Sequence, residues 1–239
     1  MKKLGIIGGM GSVATSYMVN RIIELTPAQT DQEYIEIFIH NNTAIPDRTQ
    51  GILFGGESPL PELRRSISLL NDMNVDYIVL ACMTSHYFIP QLQLNSKAII
   101  IDAVDETVRY INKKLYDNKN VGVIASTGAI KISIFQKVLN CYGFKAITLS
   151  EKDQEQYFTE PIYNDWGIKA GHINGKPADR LHRAVELLVS LGAETIILGC
   201  SELPLIFKGK DFLVPLIDSI EILCKVSINE CLHSNIYSL

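Results

Sequence analysis

The chain has 239 residues, room for one domain or for two of about 120 residues, and either size can bury a real core. Hydrophobic residues make up 47% and charged residues 20%, an ordinary globular balance, and a net charge of −4 without a basic stripe gives no electrostatic case for nucleic acid or an anionic membrane. No apolar run reaches the roughly 18 residues of a membrane span, and cysteines 82, 141, 200, 224 and 231 are too scattered for a disulfide framework or a structural zinc site, fitting reduced thiols in a cytoplasmic protein.

The start, MKKLGIIGGMGS, has the charge of a signal peptide but too short an apolar stretch, and a Gly-rich turn interrupts it, so Leu4–Ile7 reads as a first buried strand. Thr15–Leu25 carries apolar residues at helical spacing and Pro27 closes it. Tyr34–Ile39 reads as a second strand, Pro61–Met73 as an amphipathic helix, and Tyr77–Ala81 as a buried strand ending on Cys82. The second half repeats the order: strand Val121–Ala125, helix Ile132–Leu139, strand Ala146–Leu149, helix Ala178–Leu191, and strand Thr195–Gly199 ending on Cys200.

The repetition extends to residues. Leu63–Cys82 reads LRRSISLLNDMNVDYIVLAC and Leu181–Cys200 reads LHRAVELLVSLGAETIILGC, matched at an offset of 118. Leu4–Gly11 matches Val121–Gly128 at an offset of 117, and Ile101-Asp102 matches Ile217-Asp218 at 116. Three segments in one order at nearly one offset mark a duplication. Alternating strands and helices imply two similar α/β domains, each a parallel sheet flanked by helices, with the active site in the cleft between them. The division expected is residues 1–103 with 210–239 in one domain and 104–209 in the other. Ligands of open α/β sheets sit beyond the C-terminal strand ends, where GGMG, Cys82, Ser126-Thr-Gly128 and Cys200 fall.

Each motif has two readings. Gly8-Gly-Met-Gly11 is a tight strand-to-helix turn or a seat for a carboxylate-sized anion; it lacks GxGxxG and Walker A spacing. A lone cysteine after a strand is usually a small core residue. Two at equivalent ends of duplicated strands, packed about a pseudo-twofold axis, would face one cleft from opposite sides. That suits an acid and a base on opposite faces of one carbon, with one thiol ionised and the other protonated. Cys141, Cys224 and Cys231 lie in helix-like stretches and read as packing residues. Ile45-Pro-Asp-Arg-Thr49 is either a solvated loop or the mount for Arg48 as a bidentate carboxylate clamp. Lys169 by itself is a surface lysine. His86 either packs the turn after Cys82 or pairs with it as in a Cys/His hydrolase.

GGMGSVAT at 8–15, NNTAIPDRT at 41–49, ACMTSHYF at 81–88, VGVIASTGAI at 121–130, IYNDWGIKAG at 162–171 and GCSELPL at 199–205 together resemble the aspartate/glutamate racemase family, and its aspartate racemase branch most. The resemblance implies two α/β domains around one active site, a homodimer, no metal and no organic cofactor, with a small dicarboxylic amino acid as substrate. It makes Cys82 and Cys200 the acid/base thiols and gives Arg48 and Lys169 the distal carboxylate. It places Met10, Gly11, Thr49, Met83, Thr84, Ser85, Thr127, Ser201 and Glu202 around the substrate. Met83 stands where the family has asparagine, and a lost amide hydrogen bond in a closed site costs about 1–3 kcal/mol. Ser12 replaces a common proline, and Ser201 replaces threonine while keeping the hydroxyl. The function expected is interconversion of L- and D-aspartate, with glutamate as variant. The alternatives are a Cys-dependent isomerase of the maleate isomerase kind and a degenerate dicarboxylate-binding protein.

Overall fold

The computed structural model describes residues 1–233, 236 and 237. Two four-stranded parallel sheets carry the fold. The first is built from β1 (Leu4–Gly8), β2 (Ile37–Asn41), β3 (Tyr77–Leu80) and β4 (Ile99–Ile100), in the order β2-β1-β3-β4. The second is built from β5 (Asn120–Ala125), β6 (Lys145–Ile147), β7 (Thr195–Gly199) and β8 (Leu216–Asp218), in the order β6-β5-β7-β8. The topologies are identical, as a duplication requires.

Strand parity explains the layers, because successive side chains leave a strand on opposite faces. In β1 and β3, Leu4, Ile6, Val79 and Ala81 join the cluster that also holds Val121, Val123 and Ile197 of β5 and β7. Their alternate neighbours turn outward: Ile7, Ile78 and Leu80 pack on helix Leu60–Asp72, and Ile124, Ile196 and Leu198 on helix Lys176–Ser190. Between the sheets lie helices Ala103–Lys114 and Ser219–Leu232, whose apolar residues complete the shared cluster. The two halves therefore have separate outer cores and one continuous inner core.

The repeat is visible in small contacts. A Cβ on Gly5 would lie 2.9 Å from Leu70 and 3.2 Å from Val75, and one on Gly122 would lie 3.3 Å from Leu188 and 3.1 Å from Ala193. Both outer helices thus approach their strand at a glycine. Asp76 accepts from the Lys3 N–H at 2.8 Å and Glu194 from the Asn120 N–H at 2.8 Å. Asp102 and Asp218 cap the two inner helices, accepting from the N–H groups of Val104 at 2.9 Å and Ile220 at 2.8 Å, each an N-cap satisfying an otherwise orphaned donor.

Several expectations shift. The second strand begins at Ile37 rather than Tyr34, because Thr30 and Glu33 form a capping box around a 3-10 turn that ends at Tyr34. The helix expected over Ile132–Leu139 runs over Ile134–Cys141, separated at Ser133, φ 58°, from a short preceding helix Thr127–Lys131. Cys141 is exposed, while Cys224 and Cys231 are buried; the helix buries Phe135 and Leu139 and leaves Cys141 on its solvent side. Residues 216–218, expected with the first domain, pair with β7 in the second sheet. The chain crosses back only with helix Ser219–Leu232, which packs on helices Ser12–Leu25 and Ala103–Lys114. The ends of that expected segment, residues 234, 235, 238 and 239, lie outside the described residues. Among the described residues no helix is long and apolar enough to cross a membrane.

Candidate active site

Segments that follow six strands converge on one small cavity. It is lined from the first half by Met10, Asp47, Arg48, Thr49, Cys82, Met83 and Thr84, and from the second by Ser126, Tyr163, Lys169, Gly199, Cys200, Ser201 and Glu202. Its free volume is about 10 Å³, room for roughly one water molecule. A larger open cleft of about 550 Å³, between helix Ser12–Leu25 and the loop around residues 208–215, holds neither cysteine of the site. Size alone therefore does not locate the chemistry; the convergence of polar groups does.

The cysteines reach the cavity by parity. Cys82 follows Leu80 by two residues and Cys200 follows Leu198 by two, so each thiol continues the outward-facing row of its strand past the sheet edge. Both are buried, at 7% and 8% exposure. The Cys82 carbonyl is anchored by the Ser85 hydroxyl at 2.6 Å and by His86 Nδ1 at 3.0 Å. His86 is buried, which lowers its pKa, and it holds the backbone of Cys82 rather than its sulfur.

Arg48 is delivered by the turn after β2. Asn42 stitches that turn, donating its N–H to Gly8 O at 3.2 Å and accepting from the Ala44 N–H at 3.1 Å, and Asp47 caps the helix that Arg48 begins. The guanidinium is buried and donates to the carbonyls of Pro46 at 3.0 Å and Met10 at 2.8 Å, while its Nε has no partner. Burial opposes its charge, but its neighbours Cys82, Asp47 and Tyr163 raise its pKa above the ordinary value. The cation thus sits beside Cys82.

The second cation arrives from the equivalent connection after β6. Lys169 lies in a short 3-10 turn, Ile168–Ala170, and its ammonium donates to the same Met10 carbonyl at 3.1 Å. It also meets Glu202 Oε1 at 2.8 Å, outside hydrogen-bonding alignment, since Oε1 keeps no hydrogen-bond partner. Burial opposes the Lys169 charge, but Glu202 raises its pKa; burial likewise opposes the Glu202 charge, but Lys169 holds it below the ordinary carboxylate range. Glu202 Oε2 accepts from the Cys200 thiol at 3.0 Å and the Ser201 hydroxyl at 3.2 Å. Burial, and then the Glu202 charge, push the Cys200 thiol well up. Tyr163 lines the cavity although the residue as a whole is 43% exposed, and burial of its hydroxyl, then the surrounding charges, raise its pKa.

Most residues singled out in the sequence meet here, and three do not line the cavity. Ser85 is fully buried with its hydroxyl on Cys82 O. The Thr127 hydroxyl is 3.1 Å from that of Thr159 and 3.5 Å from the Gln154 amide. Gly11 lies at the rim, where a Cβ would stand 2.9 Å from Glu202 Oε1. The carboxylate beside the GGMG turn is thus the protein's own. Asp47, Tyr163 and Gly199 line the cavity without having been singled out. Ser126, placed by the sequence at the end of its strand, bonds Thr84 across the halves at 2.7 Å and follows β5 as Gly9 follows β1. Among the described residues there is no group of three His, Cys, Asp or Glu able to hold a metal ion.

A family model described as Asp/Glu/Hydantoin racemase matches residues 7–226. The broad specificity amino-acid racemase RacX of Bacillus subtilis (strain 168) is 26% identical over 237 residues, 95% of this chain and 96% of its own. The Picrophilus torridus aspartate racemase superposes with a TM-score of 0.84 at 24% identity, over 97% of this chain and 94% of that one. A glutamate racemase from Francisella tularensis subsp. tularensis SCHU S4, in complex with D-glutamate, superposes with a TM-score of 0.70 at 18% identity, over 99% and 84%. On the match over residues 7–226 and this shared architecture, the chain belongs to the Asp/Glu/hydantoin racemase family.

Proposed function

We propose that this protein is a cofactor-independent amino-acid racemase that interconverts L- and D-aspartate, with glutamate as the nearest variant, acting in the cytoplasm as a homodimer. The observation that carries the reading is the pair of thiols at equivalent ends of duplicated strands, both lining one cavity with the buried Arg48 and the partly exposed Lys169. Cys82, beside Arg48, removes the α-proton as thiolate. Cys200, held as a thiol by burial and by Glu202, returns a proton to the opposite face. The carbanion between these steps develops charge on the α-carboxylate, where fixed positive charge in a cavity nearly empty of water is most effective. Each positioned acid or base contributes about 10²–10⁴-fold. Arg48 and Lys169 hold the distal carboxylate, and Thr49, Thr84 and Ser201 supply hydroxyls.

The deciding experiment is NMR of the purified protein in D2O with each enantiomer of aspartate, glutamate, asparagine and alanine. Loss of the α-proton signal with appearance of the other enantiomer is expected for a dicarboxylic amino acid; no exchange with any of them defeats the reading. Met83, 1% exposed and lining the cavity, favours one second reading. A thioether in place of an amide removes a donor for an amino acid's polar end, which suits a Cys-dependent isomerase of a maleate-like substrate. A stable mass increase on Cys82 after incubation with maleate marks that alternative.

A further inference from the structure

We propose that His86 is a positioning residue for Cys82: its imidazole pins the carbonyl of that cysteine and so aims one thiol, and one face of the reaction, at the substrate. This rests on the racemase reading and says how one of its two thiols is kept in line. The two thiols are held by different means. Cys200 is held through its sulfur, which donates to Glu202 Oε2 at 3.0 Å. The position equivalent to Glu202 beside Cys82 is Thr84, and its hydroxyl is engaged with Ser126 of the other half at 2.7 Å. Cys82 is held instead through its backbone. Its carbonyl accepts from the Ser85 N–H at 3.2 Å, the Ser85 hydroxyl at 2.6 Å and His86 Nδ1 at 3.0 Å. The Cys200 carbonyl keeps the equivalent backbone bond, from the Leu203 N–H at 3.1 Å. The residues that match Ser85 and His86 there are Leu203 and Pro204, whose side chains have no donor.

The state of the ring fits this task and not an acid–base one. A carbonyl oxygen only accepts, so the imidazole carries its proton on Nδ1. Nε2 is buried without a hydrogen-bond partner, and the residue is 3% exposed. Asp102, whose charge favours a protonated ring, is engaged as the cap of helix Ala103–Lys114 and does not bond the ring. A cationic ring would bury a second N–H with no acceptor, so the ring is neutral and serves as a fixed donor. An apolar side chain of similar size would fill the space without an orphaned nitrogen, which leaves the Nδ1 contact as the reason for a histidine. The carbonyl carbon it fixes is bonded to the Cys82 α-carbon, where the backbone is extended at φ −156° and ψ 116°. Holding the carbonyl holds ψ, and with it the direction in which Cβ and the sulfur leave the strand end. Proton transfer needs reacting atoms about 3–3.5 Å apart, and a misplacement of about 1 Å costs about 10²-fold.

Two variants isolate the contact. His86→Leu keeps the bulk and removes the donor, whereas His86→Asn keeps an N–H where Nδ1 stands. Each is placed in Cys200→Ala and Cys82→Ala backgrounds, which leave one thiol of the pair, and α-proton exchange with both enantiomers of aspartate is followed by NMR in D2O. With Cys82 remaining, His86→Leu should slow exchange by about 10- to 100-fold, and His86→Asn should recover it to within about threefold. With Cys200 remaining, both variants should stay within about twofold. Equal slowing on both sides, no slowing, or no recovery by His86→Asn overturns the positioning role. Ser85→Ala removes the other side-chain donor and should show the same one-sided slowing, which decides the matter if His86→Leu fails to fold. Iodoacetamide labelling, resolved by mass spectrometry, reads the same contact without substrate. His86→Leu should speed modification of Cys82 by about tenfold, as the strand end is released, and leave Cys200 unchanged; a rise shared by both, or by neither, overturns the role. Absence of α-proton exchange by the wild-type protein would overturn the racemase reading, and the labelling would still decide the role of His86.

Discussion

Cys82 and Cys200 end the same strand in two copies of one motif, yet they meet opposite charges. Cys82 lies beside the Arg48 guanidinium, whereas the Cys200 thiol is hydrogen-bonded to the Glu202 carboxylate. The divergence starts immediately after the thiols: Met83 and Thr84 occupy the positions of Ser201 and Glu202. The cations also come from equivalent connections, after β2 and β6, but Arg48 has no carboxylate bonded to it while Lys169 is paired with Glu202. Duplication placed two cysteines symmetrically, and their unequal neighbours give them different surroundings: burial and Glu202 push the Cys200 thiol up, whereas Cys82 shares the cavity with Arg48.

The comparison breaks most visibly at the thiols themselves. Cys82→Ala and Cys200→Ala should each lower racemisation by about 10²–10⁴-fold, but not in the same way. Without Cys82, α-proton exchange in D2O should cease for the enantiomer whose α-proton faces it and persist without inversion for the other; without Cys200 the pattern should reverse. NMR in D2O checks this, and variants with indistinguishable enantiomer patterns would defeat the assignment of one thiol to each face. Next in size, Arg48→Lys should raise KM for a dicarboxylic amino acid by about 10- to 100-fold, because a point charge replaces a fork of donors. Steady-state kinetics read it, with an unchanged KM counting against the clamp.

Stability sharpens the equal side of the comparison. Gly5→Ala forces a Cβ to 2.9 Å from Leu70 of its outer helix, and Gly122→Ala to 2.9 Å from Ile196 of β7 and 3.3 Å from Leu188 of its outer helix; overpacking of this kind costs about 1–3 kcal/mol. Urea unfolding should give similar losses for both; a large inequality would mean the two outer cores are not packed alike. The smallest effect concerns the inner-helix cap Asp218, whose carboxyl burial raises to about 7. The folded state binds its proton more strongly than the unfolded chain, so its stabilising share is full below about pH 4 and is lost as pH rises through about 7. Asp218→Asn keeps the cap and should flatten that part of the urea-midpoint profile; an unaltered slope would assign it to another group.

The strands were readable because parallel strands buried on both faces are short continuous apolar runs, and Leu4–Ile7, Tyr77–Ala81 and Thr195–Gly199 are such runs. Helices Ala103–Lys114 and Ser219–Leu232 were not assigned, nor were the two-residue β4 and the three-residue β8, which are too short to show a period. Arg48 could be proposed as a clamp from its turn, but its burial depends on carbonyls of Met10 and Pro46. Asp47 and Tyr163 escaped notice because lining a cavity is a relation between loops, with no local pattern to mark it.

The sequence by itself determined the duplication, the parallel α/β class and the equivalence of Cys82 with Cys200, because each is written in spacing and apolar pattern within a segment. Only the tertiary structure decided that the two outward rows of side chains meet in one nearly closed cavity, that Lys169 pairs with Glu202, and that the anion beside the GGMG turn is the protein's own carboxylate. Those outcomes depend on a shared inner core that sets one half against the other, and on burial that turns nearby charges into strong partners.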